Sequence, residues 1–291
     1  MELGVVFPQS EIGNDPVAVR DFAQAVEELS FSHLLIYDHV LGADPDRPGG
    51  WTGPYDKDTA FHEVFVVLGY LAAITKTVEL GTAVLVLPQR QTALVAKQAA
   101  EVDILSGGRL RLGVGTGWNA IEYEALGEDF QNRGKRQVEQ IAVMRALWEQ
   151  DVVSFSGKYH TVSQAGLNPR PARRIPLWFG GGADALLARA ARHGDGWMPL
   201  MGPGKEAACS LDKLRSFLAE EKRDFSTFGV QAQAQVRGGN PEKWATHAEK
   251  WRALGATHLA IATMNAGHLT VDDHIAAISL YKDAVTEAAK G

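Results

Sequence analysis

Eight times along this 291-residue chain, a short β-branched or apolar run gives way to a longer amphipathic stretch. That alternation predicts parallel strands joined by helices, and eight such units predict a closed (β/α)8 TIM barrel. The expected strands are Leu3 to Phe7, His33 to Tyr37, Val78 to Leu87, Arg109 to Gly115, Ile175 to Gly180, Gly196 to Leu200, Gly229 to Val236 and His258 to Met264. The expected helices are Asp15 to Ser30, Phe61 to Thr75, Thr92 to Leu105, most of Trp118 to Gln150, Ala183 to His193, Glu206 to Phe225, Pro241 to Leu254 and Val271 to Ala288. Asn14 or Asp15 should cap the first helix, and Ser106-Gly107-Gly108 should stop the third. Val152 to Val162 reads as a small hairpin. Strands such as HLLIY and AVLVL are apolar on both faces, as expected when helices cover the outside and side chains fill the lumen. The competing architecture is an open, doubly wound sheet, which generally has fewer units. With no internal repeat, low-complexity tract or interdomain linker, residues 1–291 are expected to form one domain, with insertions in the loops after the strands.

The net charge of −6 removes general nucleic-acid binding, because no basic excess is present to replace phosphate counterions. The longest apolar stretch, roughly Val64 to Ile74, is too short to span a bilayer. The MELGVVFPQ start has no basic region before an apolar run, so no secretory signal is read. A single cysteine, Cys209, cannot form an internal disulfide. Together these features predict a cytoplasmic protein. The nine histidines show no metal-ligand spacing, and neither HExxH nor a GxSxG elbow occurs, so no metal is expected and hydrolysis lacks a nucleophile.

In a barrel of this kind the site forms where strands end and loops begin. Asp38-His39 follows the second strand; a carboxylate beside an imidazole can fix one tautomer and suits proton transfer, although a helix cap plus a surface histidine is an equal reading. Gly113-Val114-Gly115-Thr116-Gly117 ends the fourth strand, where glycines let backbone amides approach a phosphate; a tight turn without ligand is the plainer reading. Gly180-Gly181-Gly182 joins the fifth strand to its helix, and three successive glycines there favour an anion held by backbone amides over a plain turn. Trp51, Trp118, Trp178 and Trp197 could wall a pocket for a planar ring or could be core residues. Arg170, Arg173 and Arg174 could hold an anionic tail or could be solvated.

LGTAVLVLP, SGGRLRLGVGTGWNAIEYEALG, VVSFSGKYH, IPLWFGGGADALLARAARHGDGWMP and the early YDH together resemble the luciferase-like family of flavin- or deazaflavin-dependent oxidoreductases. The likeness runs from Leu3 to about Pro199, and the branch using the 5-deazaflavin coenzyme F-420 is the most similar. The resemblance implies a cofactor ring near Asp38, His39 and the third strand, with His39 as general acid/base and Asp38 orienting it. It implies a cofactor phosphate at Thr116-Gly117 and Gly180 to Gly182, and a non-prolyl cis peptide at Ala83-Val84 behind the ring. Two positions depart from relatives. Trp118 stands where the sugar-phosphate dehydrogenases have glutamate after GTG, and no cysteine matches the reactive one of light-emitting relatives.

The expected activity is hydride transfer between reduced coenzyme F-420 and a small organic substrate. The alternative is an FMN-dependent monooxygenase fed by a separate reductase, and a non-catalytic cofactor carrier is a third reading. The arginine cluster would favour the longer anionic tail of F-420. A homodimer is expected, and the loop from Leu41 to Thr59 should cover the pocket.

Overall fold

The computed structural model describes residues 1–288, and within it eight parallel strands close on themselves. They are β1 (Glu2–Val6), β2 (His33–Ile36), β3 (Glu79–Thr82, resumed at Leu85–Val86), β4 (Leu110–Gly115), β5 (Leu177–Gly180), β6 (Gly196–Met198), β7 (Gly229–Gln235) and β8 (His258–Ala262). Each strand pairs in parallel with its sequence neighbour, and β8 returns to β1 in the register Glu2↔His258 to Val6↔Ala262. The ring has no open edge, so the chain is a (β/α)8 barrel and the open-sheet alternative falls.

The outer helices are α1 (Pro16–Glu28), α2 (Val64–Ile74), α3 (Thr92–Leu105), α4 (Arg133–Glu149), α5 (Asp184–His193), α6 (Lys205–Glu220), α7 (Pro241–Leu254) and α8 (Val271–Ala288). Asp15 caps α1 by accepting from the Val17 amide at 2.8 Å, and Asn240 does the same for α7 through Lys243 at 2.9 Å. α2 is apolar almost all round. It buries Val64, Phe65, Val67, Leu68, Leu71 and Ala72, yet leaves Val66 73% exposed. No described helix is long and apolar enough to cross a membrane.

Several elements depart from the expected pattern. The third strand is interrupted at Ala83-Val84, where the cis peptide bond implied by the resemblance is present. The helical stretch after β4 divides into a short helix, Ala120–Ala125, a single turn at Phe130–Asn132, and α4. The hairpin between α4 and β5 pairs Val153–Ser156 with Thr161–Ala165, reaching three residues beyond its expected end.

The amino-terminal end of the lumen is plugged. Arg111 from β4 lies over the Trp178 ring at 4.2 Å, and the Trp178 ring packs against His258, whose ring centroid is 5.0 Å away. A Cβ on Gly196 or Gly229 would stand 2.2 or 2.1 Å from that indole, so β6 and β7 carry glycine where the tryptophan crosses them. Burial, with nearby Arg111, pulls the His258 imidazole down to about 4. This end is built for stability, and the opening lies at the other.

Candidate active site

At the carboxyl end of the strands lies a cavity of about 490 Å³. Asp38, His39, Ala83, Val84, Thr116, Gly117, Gly180, Gly181 and Gly182 all line it, so the strand-end candidates read from the sequence converge on one space. Tyr37, Tyr55, Trp118, Glu122, Arg189 and Gln233 complete its polar and aromatic lining.

His39 leaves β2 into the long loop that precedes α2. Its Nδ1 lies 3.3 Å from Oε2 of Glu122, and Nε2 has no partner among the described residues. Glu122 is fixed in turn, because its Oε1 accepts from the amides of Val40 at 2.6 Å and Leu41 at 3.2 Å. The side chains of His39 and Glu122 are 13% and 1% exposed, so the pair sits in a screened, low-dielectric pocket. A carboxylate there orients the imidazole and leaves Nε2 as the free ring nitrogen.

The expected partner of His39 was Asp38, and the structure corrects this. Both Asp38 oxygens are taken by Arg90, at 2.6 and 3.3 Å, and Oδ2 also accepts from the Val86 amide at 2.9 Å. Burial pushes the Asp38 carboxyl up, and Arg90 pulls it back. Asp38 therefore ties the end of β2 to the resumed segment of β3 and holds the bulge between them. Thr82 helps by donating from Oγ1 to the Gly113 carbonyl at 2.6 Å.

That bulge drives Val84 into the cavity wall. A Cβ on Gly115 would lie 2.4 Å from Val84 Cγ2, and one on Gly180 would lie 2.6 Å from Val84 Cγ1. The two glycines are seats for the valine, and Gly180 acts through packing as well as through its backbone. Gly117 is in the left-handed region at φ +63°, and the Tyr123 hydroxyl holds the preceding Thr116 carbonyl at 2.7 Å.

The third glycine loop is arranged differently from three amides around one anion. Gly181 has φ +135°, but its amide donates to Met198 O at 3.1 Å and its carbonyl accepts from Trp197 Nε1 at 2.6 Å. Free donors begin one residue later. The amides of Gly182 and Ala183 donate to no backbone acceptor among the described residues, and Ala183, at the cap position before α5, offers no side-chain cap. Arg189, one turn into α5, also lines the cavity; its buried Nε has no partner, and burial pulls its guanidinium below the ordinary value. Free amides, a helix amino terminus and an unpaired guanidinium are groups whose chemistry suits an anion.

The arginine cluster lies elsewhere. Arg173 binds Asp103 at 2.6 Å and the carbonyl of Leu110 at the start of β4, Arg174 faces Asp195 at 3.3 Å, and Arg170 pairs with Asp151. These are contacts at the opposite end of the barrel, so the cluster holds no ligand tail in the cavity. Of the four tryptophans singled out, Trp118 lines the cavity with Trp51 against it at 5.7 Å, while Trp178 and Trp197 are core residues.

Glu122, Arg90 and Arg189 were missed as site residues. Glu122 stands three residues after the helix cap Asn119, a spacing that reads as a capping box. Its carboxylate reaches across the barrel mouth instead, a contact with a residue 83 positions earlier that no local pattern carries.

Residues 1–280 match the family model described as luciferase-like monooxygenase. An uncharacterised protein of Mycobacterium tuberculosis is 36% identical over 77% of this chain and 79% of its own length. An F-420-dependent glucose-6-phosphate dehydrogenase of Gordonia bronchialis is 32% identical over 88% of this chain and 75% of its own. A pyrimidine monooxygenase, RutA, of Cronobacter turicensis is 34% identical over 60% of this chain and 46% of its own. Among solved structures, an F-420-dependent secondary alcohol dehydrogenase superposes with a TM-score of 0.80 at 19% identity, covering 98% of both chains. On this evidence the chain belongs to the luciferase-like monooxygenase family, a family of oxidoreductase enzymes that includes F-420-dependent dehydrogenases and monooxygenases.

Proposed function

We propose that the protein is an oxidoreductase that binds coenzyme F-420 in the 490 Å³ cavity and exchanges hydride with a small organic substrate. The observation that carries this reading is the pairing of His39 with Glu122 in the same cavity as an unpaired anion-binding set at Gly182, Ala183 and Arg189. When bound, the deazaflavin supplies the hydride; proton delivery and positioning fall to the chain. Val84, seated on Gly115 and Gly180, would back the ring, and Thr116-Gly117 with Gly180 to Gly182 would frame the phosphate. His39 hands a proton from Nε2 to the substrate atom that gains electron density, or removes it in the reverse direction, while Glu122 balances the charge on the ring. Asp38 is a positioning residue for the bulge through Arg90 and Val86.

The reading includes one catalytic domain spanning residues 1–291, a cytoplasmic location, no metal and no nucleic-acid or membrane partner. It also includes a homodimer, for which the exposed Val66 and Tyr70 of α2 offer an apolar face. The second reading is an FMN-dependent monooxygenase supplied by a separate reductase, favoured by the likeness to the pyrimidine monooxygenase. Anaerobic oxidation of reduced F-420 on adding an acceptor supports the first reading. Substrate oxygenation with reduced FMN and oxygen, and no F-420 turnover, replaces it with the second.

A further inference from the structure

His39 is enclosed by aromatic rings. The centroids of Phe61, Tyr55 and Trp118 lie 4.7, 5.1 and 5.6 Å from that of its imidazole, and Trp51 packs behind Trp118. The cavity also presents apolar side chains to water: Trp118 is 44% exposed and Leu200 77%. Such a surface has a hydration cost that an apolar ligand removes.

The charges in the cavity point the same way. Among the charged groups lining it, Asp38 is neutralised by Arg90, and Glu122 is committed to two backbone amides and His39. Arg189 is the remaining cation of the lining, and it stands with the free amides at the start of α5. On the reading above, the cofactor phosphate takes that set. No lysine and no other arginine of this lining is then left for a substrate phosphate or carboxylate, and Glu122 would repel either.

We propose that the substrate presented to His39 is a neutral, planar, largely apolar molecule carrying a carbonyl-type acceptor, and that Trp118 and Tyr55 select it by stacking and exclude anionic substrates. This deepens the functional reading and rests on it. The carbonyl oxygen would accept from Nε2 of His39, and the flat body would lie against the indole and phenol faces.

The test is a titration of protein saturated with oxidised F-420, or with FMN if that is what binds, using 2-naphthaldehyde, 2-naphthoate and glucose 6-phosphate. Binding is read from cofactor fluorescence and calorimetry. The expected result is an aldehyde at least tenfold tighter than naphthoate, with no binding of the sugar phosphate. Trp118→Ala should weaken the aldehyde roughly tenfold, about 1.4 kcal/mol, and leave cofactor affinity unchanged. Naphthoate or glucose 6-phosphate binding as well as the aldehyde overturns the proposal, as does a Trp118→Ala protein that binds the aldehyde like the parent. Failure of both cofactors to bind overturns the functional reading and this one with it; failure of the ratios alone overturns only the substrate class.

Discussion

Oε2 of Glu122 stands 3.3 Å from Nδ1 of His39, while the other oxygen is held by the amides of Val40 and Leu41. One carboxylate thus orients the imidazole and fixes the loop that carries it. Glu122→Gln keeps an acceptor for the loop but leaves the protonated ring without its counter-charge. Turnover should fall roughly tenfold or more, as general acid/base efficiency drops, with cofactor affinity held. Steady-state kinetics beside a cofactor titration checks this, and unchanged turnover would reduce Glu122 to a loop anchor.

His39→Ala should cost about a hundredfold or more in turnover, the usual loss for a general acid/base. The cavity floor at Ala83 and Val84 is untouched, so cofactor binding should stay within a few-fold of the parent. A variant with parental turnover would remove His39 from the chemistry.

Gly115→Ala and Gly180→Ala should both destabilise, by about 1–3 kcal/mol, because each new methyl collides with a Val84 methyl that the bulge cannot withdraw. Pairing either change with Val84→Ala should restore much of the loss. Thermal unfolding of the single and double variants measures the coupling, and additive effects would mean that the contacts do not compete.

The barrel was legible from the sequence because its cause is periodic: eight alternations of apolar strand and amphipathic helix, each readable within its own window. The convergence of Asp38, His39, Ala83, Val84, Thr116, Gly117 and Gly180 to Gly182 was also legible, since strand ends in a closed barrel must meet. Partner choice was not. Asp38 is adjacent to His39 in sequence, yet successive residues at a strand end point apart, and the carboxylates are dealt out by contacts 52 positions away to Arg90 and 83 positions away to Glu122. The glycines misled in a similar way. Gly180 is small for Val84 and Gly181 spends its amide on Met198, so the anion donors lie one residue further along.

Acid should weaken the plugged end. The His258 imidazole, held at about 4 by burial and Arg111, is neutral when folded and protonates near its ordinary value when unfolded. The unfolded chain then binds more protons between about pH 6.5 and 4, so stability falls as pH drops through that window. His258→Gln should flatten the decline in melting temperature from pH 7.5 to 5. An unchanged slope would show that other groups govern it.

Val66→Asp places a charge on the exposed face of α2 without touching the cavity. Under the homodimer reading it should shift the protein to monomer at micromolar concentration, seen by light scattering, while cofactor affinity per chain is retained. A parental protein that is already monomeric contradicts that part of the account.

The central claim, that the cavity holds a deazaflavin by its phosphate, is tested most directly by equilibrium titration of the purified apo-protein with F-420 and with FMN, alongside Arg189→Ala. The account predicts F-420 at least tenfold tighter than FMN, a difference of about 1.4 kcal/mol. It also predicts that Arg189→Ala weakens F-420 by about tenfold to a hundredfold, as expected for a charge-assisted contact of about 1.5–3 kcal/mol, with the melting temperature held. Equal or tighter binding of FMN, or an Arg189→Ala protein that binds F-420 like the parent, would contradict it.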